Sequence, residues 1–102
     1  MNDLSLDEQK EIDIAIANAT LACVGDGESI VNVAIGIDEG RVTTHVETDR
    51  RTLIVPSDDL CAAASALAEL HDRNGTNLTD ANYRFQLTIS GRWQMVADFS
   101  YR

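Results

Sequence analysis

The sequence predicts an α+β domain: a single antiparallel five-stranded sheet with two helices packed on one face, in the order α-β-β-β-α-β-β. Three observations carry this. Tyr83–Tyr101 alternates apolar and polar residues at period two on either side of Ser90-Gly91, as the arms of a hairpin do. Two segments, opening at Ser5 and at Ser57, combine a capping residue, an acidic first turn and helical apolar spacing. Between them stand strand-like apolar runs divided by an acidic glycine turn and closed by Pro56.

Ser5-Leu6-Asp7-Glu8 forms a capping box that starts a helix over about Leu6–Val24, stopped by Gly25. Its inward stripe is Ile12, Ala15, Ile16, Ala19 and Cys23, widened by Ile14, Leu21 and Val24. Ser29–Ile37 is apolar on both faces, as a central strand requires. Asp38-Glu39-Gly40-Arg41 is the turn into Val42–Thr48, with Val42, Thr44 and Val46 set against Ile37, Ile35 and Val33. Arg51–Val55 then reads as a short third strand.

Ser57 caps the second helix, which Asn74-Gly75 closes, and Leu60, Ala63, Ala64, Leu67, Leu70 and His71 share its inner face. Thr76–Asn82 is polar and reads as a loop. In the final hairpin a three-residue turn, Ser90-Gly91-Arg92, pairs Ile89 with Trp93 and puts both apolar rows on one face. All five aromatic residues of the chain lie in these two arms, which therefore form the expected floor of the core.

At 102 residues the chain makes one domain, residues 1–102. The net charge of −9 disfavours nucleic acid and anionic membranes as partners and favours a cationic protein. The charge is uneven: −6 over residues 1–28, −1 over 29–55, −3 over 56–75 and +1 over 76–102. Acidity thus belongs to the helical segments and their flanks. It serves either as a solvated helical surface or as a docking surface that speeds encounter with a basic partner. The candidate partner-binding residues are Asp26, Glu28, Asp38, Glu39, Glu47, Asp58, Asp59 and Asp98.

The N-terminus lacks a basic and an apolar region, so no secretion signal is expected, and no apolar run is long enough to span a membrane. Cys23 and Cys61 lack Cys-x-x-Cys spacing and read as small buried thiols in a cytoplasmic protein. His71 reads as a packing or capping residue, and His45 beside Glu47 has no nucleophile at a useful spacing. No metal, cofactor or catalytic set is expected. The outer sheet face is a candidate homodimer interface.

Tyr83, Leu87, Ile89, Gly91, Trp93, Asp98, Phe99 and Tyr101, together with the element order, resemble the YezG-like immunity proteins. Tyr83 stands where that family usually has tryptophan, and the middle segment is shorter than is usual there. The resemblance implies a cytoplasmic antidote that binds a toxin domain from a neighbouring cell, such toxins often being nucleases with basic active sites. Two other classes fit the composition: an acidic nucleic-acid mimic that acts on a host defence protein, and a small ligand-binding α+β domain.

Overall fold

The computed structural model describes residues 6–102, so the capping box expected at Ser5 lies outside the described residues. The elements are α1 (Leu6–Leu21), β1 (Ile30–Asp38), β2 (Arg41–Thr48), α2 (Asp58–Arg73), β3 (Leu78–Leu87) and β4 (Trp93–Tyr101). The fold is α+β, with two helices and one antiparallel sheet in the order β2-β1-β3-β4. The sheet has four strands, which corrects the expectation of five.

The missing strand is Arg51–Val55. Only Ile54 bridges β2, through Ile54 N–H to Val46 C=O. The segment meets β2 at that bridge alone, and its start is held in a tight turn. Thr48 N–H donates to Arg51 C=O, and the Thr48 hydroxyl accepts from both the Arg50 and Arg51 N–H groups. Pro56 supplies no donor at the other end. Ile54 is buried, whereas Leu53 and Val55 point into solvent.

The β1–β2 hairpin has the register that alternation demands, with Val33, Ile35 and Ile37 opposite Val46, Thr44 and Val42. Glu39 and Gly40 both have positive φ, 48° and 81°, which is the two-residue turn whose twist matches its strands. β3 begins at Leu78, inside the stretch expected to be a loop. Its polar residues fall on the outer face, while Leu78, Ala81, Tyr83 and Phe85 are buried. Backbone pairing with the central strand β1, Ile35 to Ala81 and Val33 to Tyr83, holds a segment that propensity alone would leave open.

The last hairpin also differs from expectation. Leu87, not Ile89, stands opposite Trp93, so the connection spans residues 88–92 and Ile89 is fully exposed at its tip. The Thr88 side chain decides this: its hydroxyl donates to Arg92 C=O and accepts from Arg92 N–H, while Gly91 at φ 82° turns the chain. Both rows still share one face, but only the β3 row is core. Met95 and Tyr101 of β4 remain 40% and 51% exposed.

The helices are antiparallel, with Arg73 at the end of α2 reaching Glu8 at the start of α1. Ser57 caps α2 by accepting from Leu60 N–H, and all six residues expected on its inner face are buried. Leu60, Leu67, Ile16, Val31, Val33, Ile35, Tyr83 and Phe85 are the larger side chains at the centre of the core. Removing such side chains from water is the main stabilising term, about 1.5–3 kcal/mol for each large one.

Candidate protein-binding surface

The eight nominated acids do not converge. Asp26, Asp38, Glu39, Asp58, Asp59 and Asp98 are exposed, and Glu47 is half-buried. Asp58 and Asp59 occupy the first turn of α2, Glu39 lies beside its other end, and Asp38 borders a separate hollow with Gly36, Thr43 and Asp80. At 1.5 Å per residue those ends are roughly 20 Å apart. Asp98 projects from the outer sheet face, opposite Asn82.

Glu28 differs from the rest. It is buried, and its carboxylate is fully engaged. Arg51 donates to both its oxygens, from Nε at 2.7 Å and from the terminal guanidinium nitrogen at 2.6 Å. Gly25 N–H donates at 2.6 Å, and the Thr48 hydroxyl donates to the second oxygen. The guanidinium, then Thr48, hold its pKa at about 2. Asp49 accepts from Ser29 Oγ and Ser29 N–H, and Arg50 donates to Gly27 C=O. These contacts staple the loop before β1 to the turn after β2. Both carboxylates thus accept from backbone N–H groups of these loops.

Glu39 is joined by two acids that the sequence reading did not nominate. Glu69 and Asp72, exposed on α2, border a hollow of about 350 Å³ floored by Ile37, Val42 and Ala68, and Gly40 of the β1–β2 turn closes it. Glu39 and Asp72 share the adjoining hollow with Arg102. Here the structure sets an apolar floor beside Glu69 and Asp72. Such a surface suits a cationic side chain with an apolar stem. The signal in the sequence was the i, i+3 spacing of Glu69 and Asp72, but their proximity to Glu39 needs the sheet.

His45 and Glu47 sit on the outer face with Nε2 and Oε2 4.0 Å apart, both about half exposed. Their cross-strand neighbours on β1 are Ala34 and Asn32, which supply neither nucleophile nor second acid. His71 is buried within a chain of hydrogen bonds. Its Nε2 lies 2.7 Å from Gln9 Oε1 and its Nδ1 2.7 Å from the Thr76 hydroxyl. Gln9 Nε2 donates to Asp13 Oδ1, which also accepts from the Tyr83 hydroxyl, each at 2.7 Å. With the Gln9 amide so turned, Nε2 carries the imidazole proton and Nδ1 accepts from Thr76. Burial pushes the His71 pKa down and, with the Asp13 carboxylate, pushes the Tyr83 hydroxyl far up. The network joins α1, α2 and β3, and the hollow beside His71 measures only about 90 Å³.

Among the described residues no group of three or more His, Cys, Asp or Glu is placed to hold a metal ion, and no helix is long and apolar enough to cross a membrane. Comparisons with known protein families and with curated proteins found no match for the chain.

Proposed function

We propose that this chain is a protein-binding inhibitor, an immunity protein that occludes the basic surface of a toxin domain, with a nuclease as the toxin class. The observation that carries the reading is the hollow floored by Ile37, Val42 and Ala68 and rimmed by Glu69 and Asp72, with Glu39 alongside, on a chain of net charge −9. A lysine or arginine of the toxin lays its stem on the apolar floor and its charge among the carboxylates. The long-range negative field raises the encounter rate, and the hollow fixes the register. The likeness of the C-terminal hairpin to YezG-like immunity proteins supplies the toxin class. That likeness now rests on the hairpin residues, because the element order has one strand fewer.

A nucleic-acid mimic shares the charge but needs carboxylates in a continuous row that imitates a phosphate backbone. The nominated acids make no such row: Asp58 and Asp59 lie at one end of α2, Glu39 lies at the other, and Asp98 stands on the outer sheet face.

The test is co-expression with nuclease toxin domains of the kind that YezG-like proteins neutralise, followed by binding kinetics on the purified pair. Growth rescue is expected, with an association rate that falls as salt rises. Glu69→Lys with Asp72→Lys should slow association on the order of tenfold while leaving the melting temperature unchanged. Absence of rescue, or a rate indifferent to salt and to both substitutions, would refute the reading.

A further inference from the structure

The sheet has two edges, and the chain treats them differently. The β2 edge is covered: Arg51 C=O accepts from Thr48 N–H, and Ile54 N–H donates to Val46 C=O. It also carries Arg41, His45 and Glu47, the charges with which proteins discourage strand pairing. The β4 edge has none of these protections. No described residue pairs with it, it contains neither proline nor lysine, its register shift lies on the β3 side at Thr79, and Asp98 is its single charge.

The direction of its free backbone groups follows from two bonds at its ends. Arg92 C=O accepts from Thr88 N–H, and Arg102 N–H donates to Asn77 C=O. Alternation then turns the even residues of β4 toward β3 and the odd ones outward. Trp93, Met95, Ala97, Phe99 and Tyr101 therefore present their N–H and C=O groups to the open edge. The same five residues carry the strand's apolar row on the helix side, while Val96, 59% exposed, stands on the outer face.

We propose that β4 is a homodimer interface, in which two copies pair their β4 strands antiparallel about a two-fold axis at Ala97 and make one eight-stranded sheet. This inference is independent of the toxin reading. Centring on Ala97 is the register that engages all five outward residues: Ala97 with Ala97 of the second copy, Met95 with Phe99, and Trp93 with Tyr101. The aromatic and thioether side chains then lie directly across from one another and remove each other's exposed area from water. Charge agrees with this register. Arg84 sits across from Val96 within the chain, and Val96 faces Asp98 of the second copy. The guanidinium and that carboxylate stand two strand spacings apart, about 10 Å between Cα atoms and within reach of the two side chains.

Sedimentation equilibrium from 1 to 500 μM tests the proposal, read with amide hydrogen exchange by NMR. The expected result is a species of twice the 11.1 kDa chain mass. With rising concentration, the amides of Trp93, Met95, Ala97, Phe99 and Tyr101 should gain protection, while the even amides are protected throughout. Ala97→Pro removes only an outward N–H and should give a folded monomer. Val96→Glu sets like charges across the seam and should weaken the dimer at least tenfold. Adding Asp98→Arg to it should restore pairing. A monomer at every concentration, odd amides that never gain protection, or a dimer indifferent to both Ala97→Pro and Val96→Glu would overturn the proposal. So would odd amides that become protected only when a different protein is added.

Discussion

His71 Nε2 donates to Gln9 Oε1 across 2.7 Å, joining the last turn of one helix to the first turn of the other inside the protein. The residues are 62 positions apart in sequence, and both are buried. The bond fixes how the antiparallel helices are staggered, because Thr76 on one side and Asp13 on the other hold the two partners in place. Phe99 packs edge-on against the imidazole at 5.8 Å between ring centroids, so β4 also feels this contact.

Stability should therefore fall as the solution is acidified from neutral pH. The folded-state pKa of His71 is held below the ordinary value of 6.5 by burial, so the unfolded chain takes up the proton first. The contribution of His71 is complete above pH 6.5 and is lost as pH drops through its folded value. Gln9→Leu leaves the imidazole N–H buried and unpaired, at a cost of about 1–3 kcal/mol at pH 8. Urea titrations of both proteins between pH 8 and pH 5 check this, and a flat wild-type profile would count against it.

A second acid limb belongs to Glu28. Its pKa of about 2 lies below the ordinary 4.5, so its contribution is intact above pH 4.5 and disappears as pH falls toward 2. Glu28→Gln should flatten this limb and lower the melting temperature at pH 7. Arg51→Met should lower it further by leaving the carboxylate buried without its cation. Thermal melts across pH 2–6 show whether the limb goes with the side chain.

Thr20 is fully buried, and its hydroxyl has no partner among the described residues. Thr20→Val keeps the shape and removes the unpaired oxygen, so it should raise stability by about 1 kcal/mol. Equilibrium denaturation measures it, and a destabilised variant would mean that the hydroxyl is satisfied in solution.

The absence of a third strand after β2 makes Arg51–Val55 uneven to mutation. Ile54→Ala should cost about 2 kcal/mol, because it empties a core site. Leu53→Ser and Val55→Ser, both at solvent-exposed positions, should stay within about 0.5 kcal/mol of wild type. Comparable losses at all three positions would indicate a paired strand.

Local chemistry made much of this molecule legible beforehand. Leu60, Ala63, Ala64, Leu67, Leu70 and His71 fall on one side of α2 by helical geometry alone, and Ser57 and Asn74-Gly75 mark its ends. The β1–β2 register follows from the side-chain period and the Glu39-Gly40 turn. Misreadings arose where distant groups outvoted local preference. Arg51–Val55 has strand composition, yet it meets β2 only in the turn at Thr48 and the bridge at Ile54, while the Arg51 side chain is committed to Glu28. Leu78–Asn82 has loop composition, yet β1 supplies its hydrogen bonds. Ser90-Gly91-Arg92 offered a short turn, yet the Thr88 hydroxyl closes a longer one.

The candidate surface divides in the same way. Net charge and its concentration in the helical segments are properties of composition, and folding does not alter them. Which carboxylates reach a partner depends on burial and proximity. Glu28 is withdrawn into an ion pair, while Glu69 and Asp72 are brought beside Glu39 by strands far away in sequence. A side chain's residue type and its i, i+3 neighbours are encoded along the chain. Its surroundings are set by contacts between residues tens of positions apart, and these exist only once the core has closed.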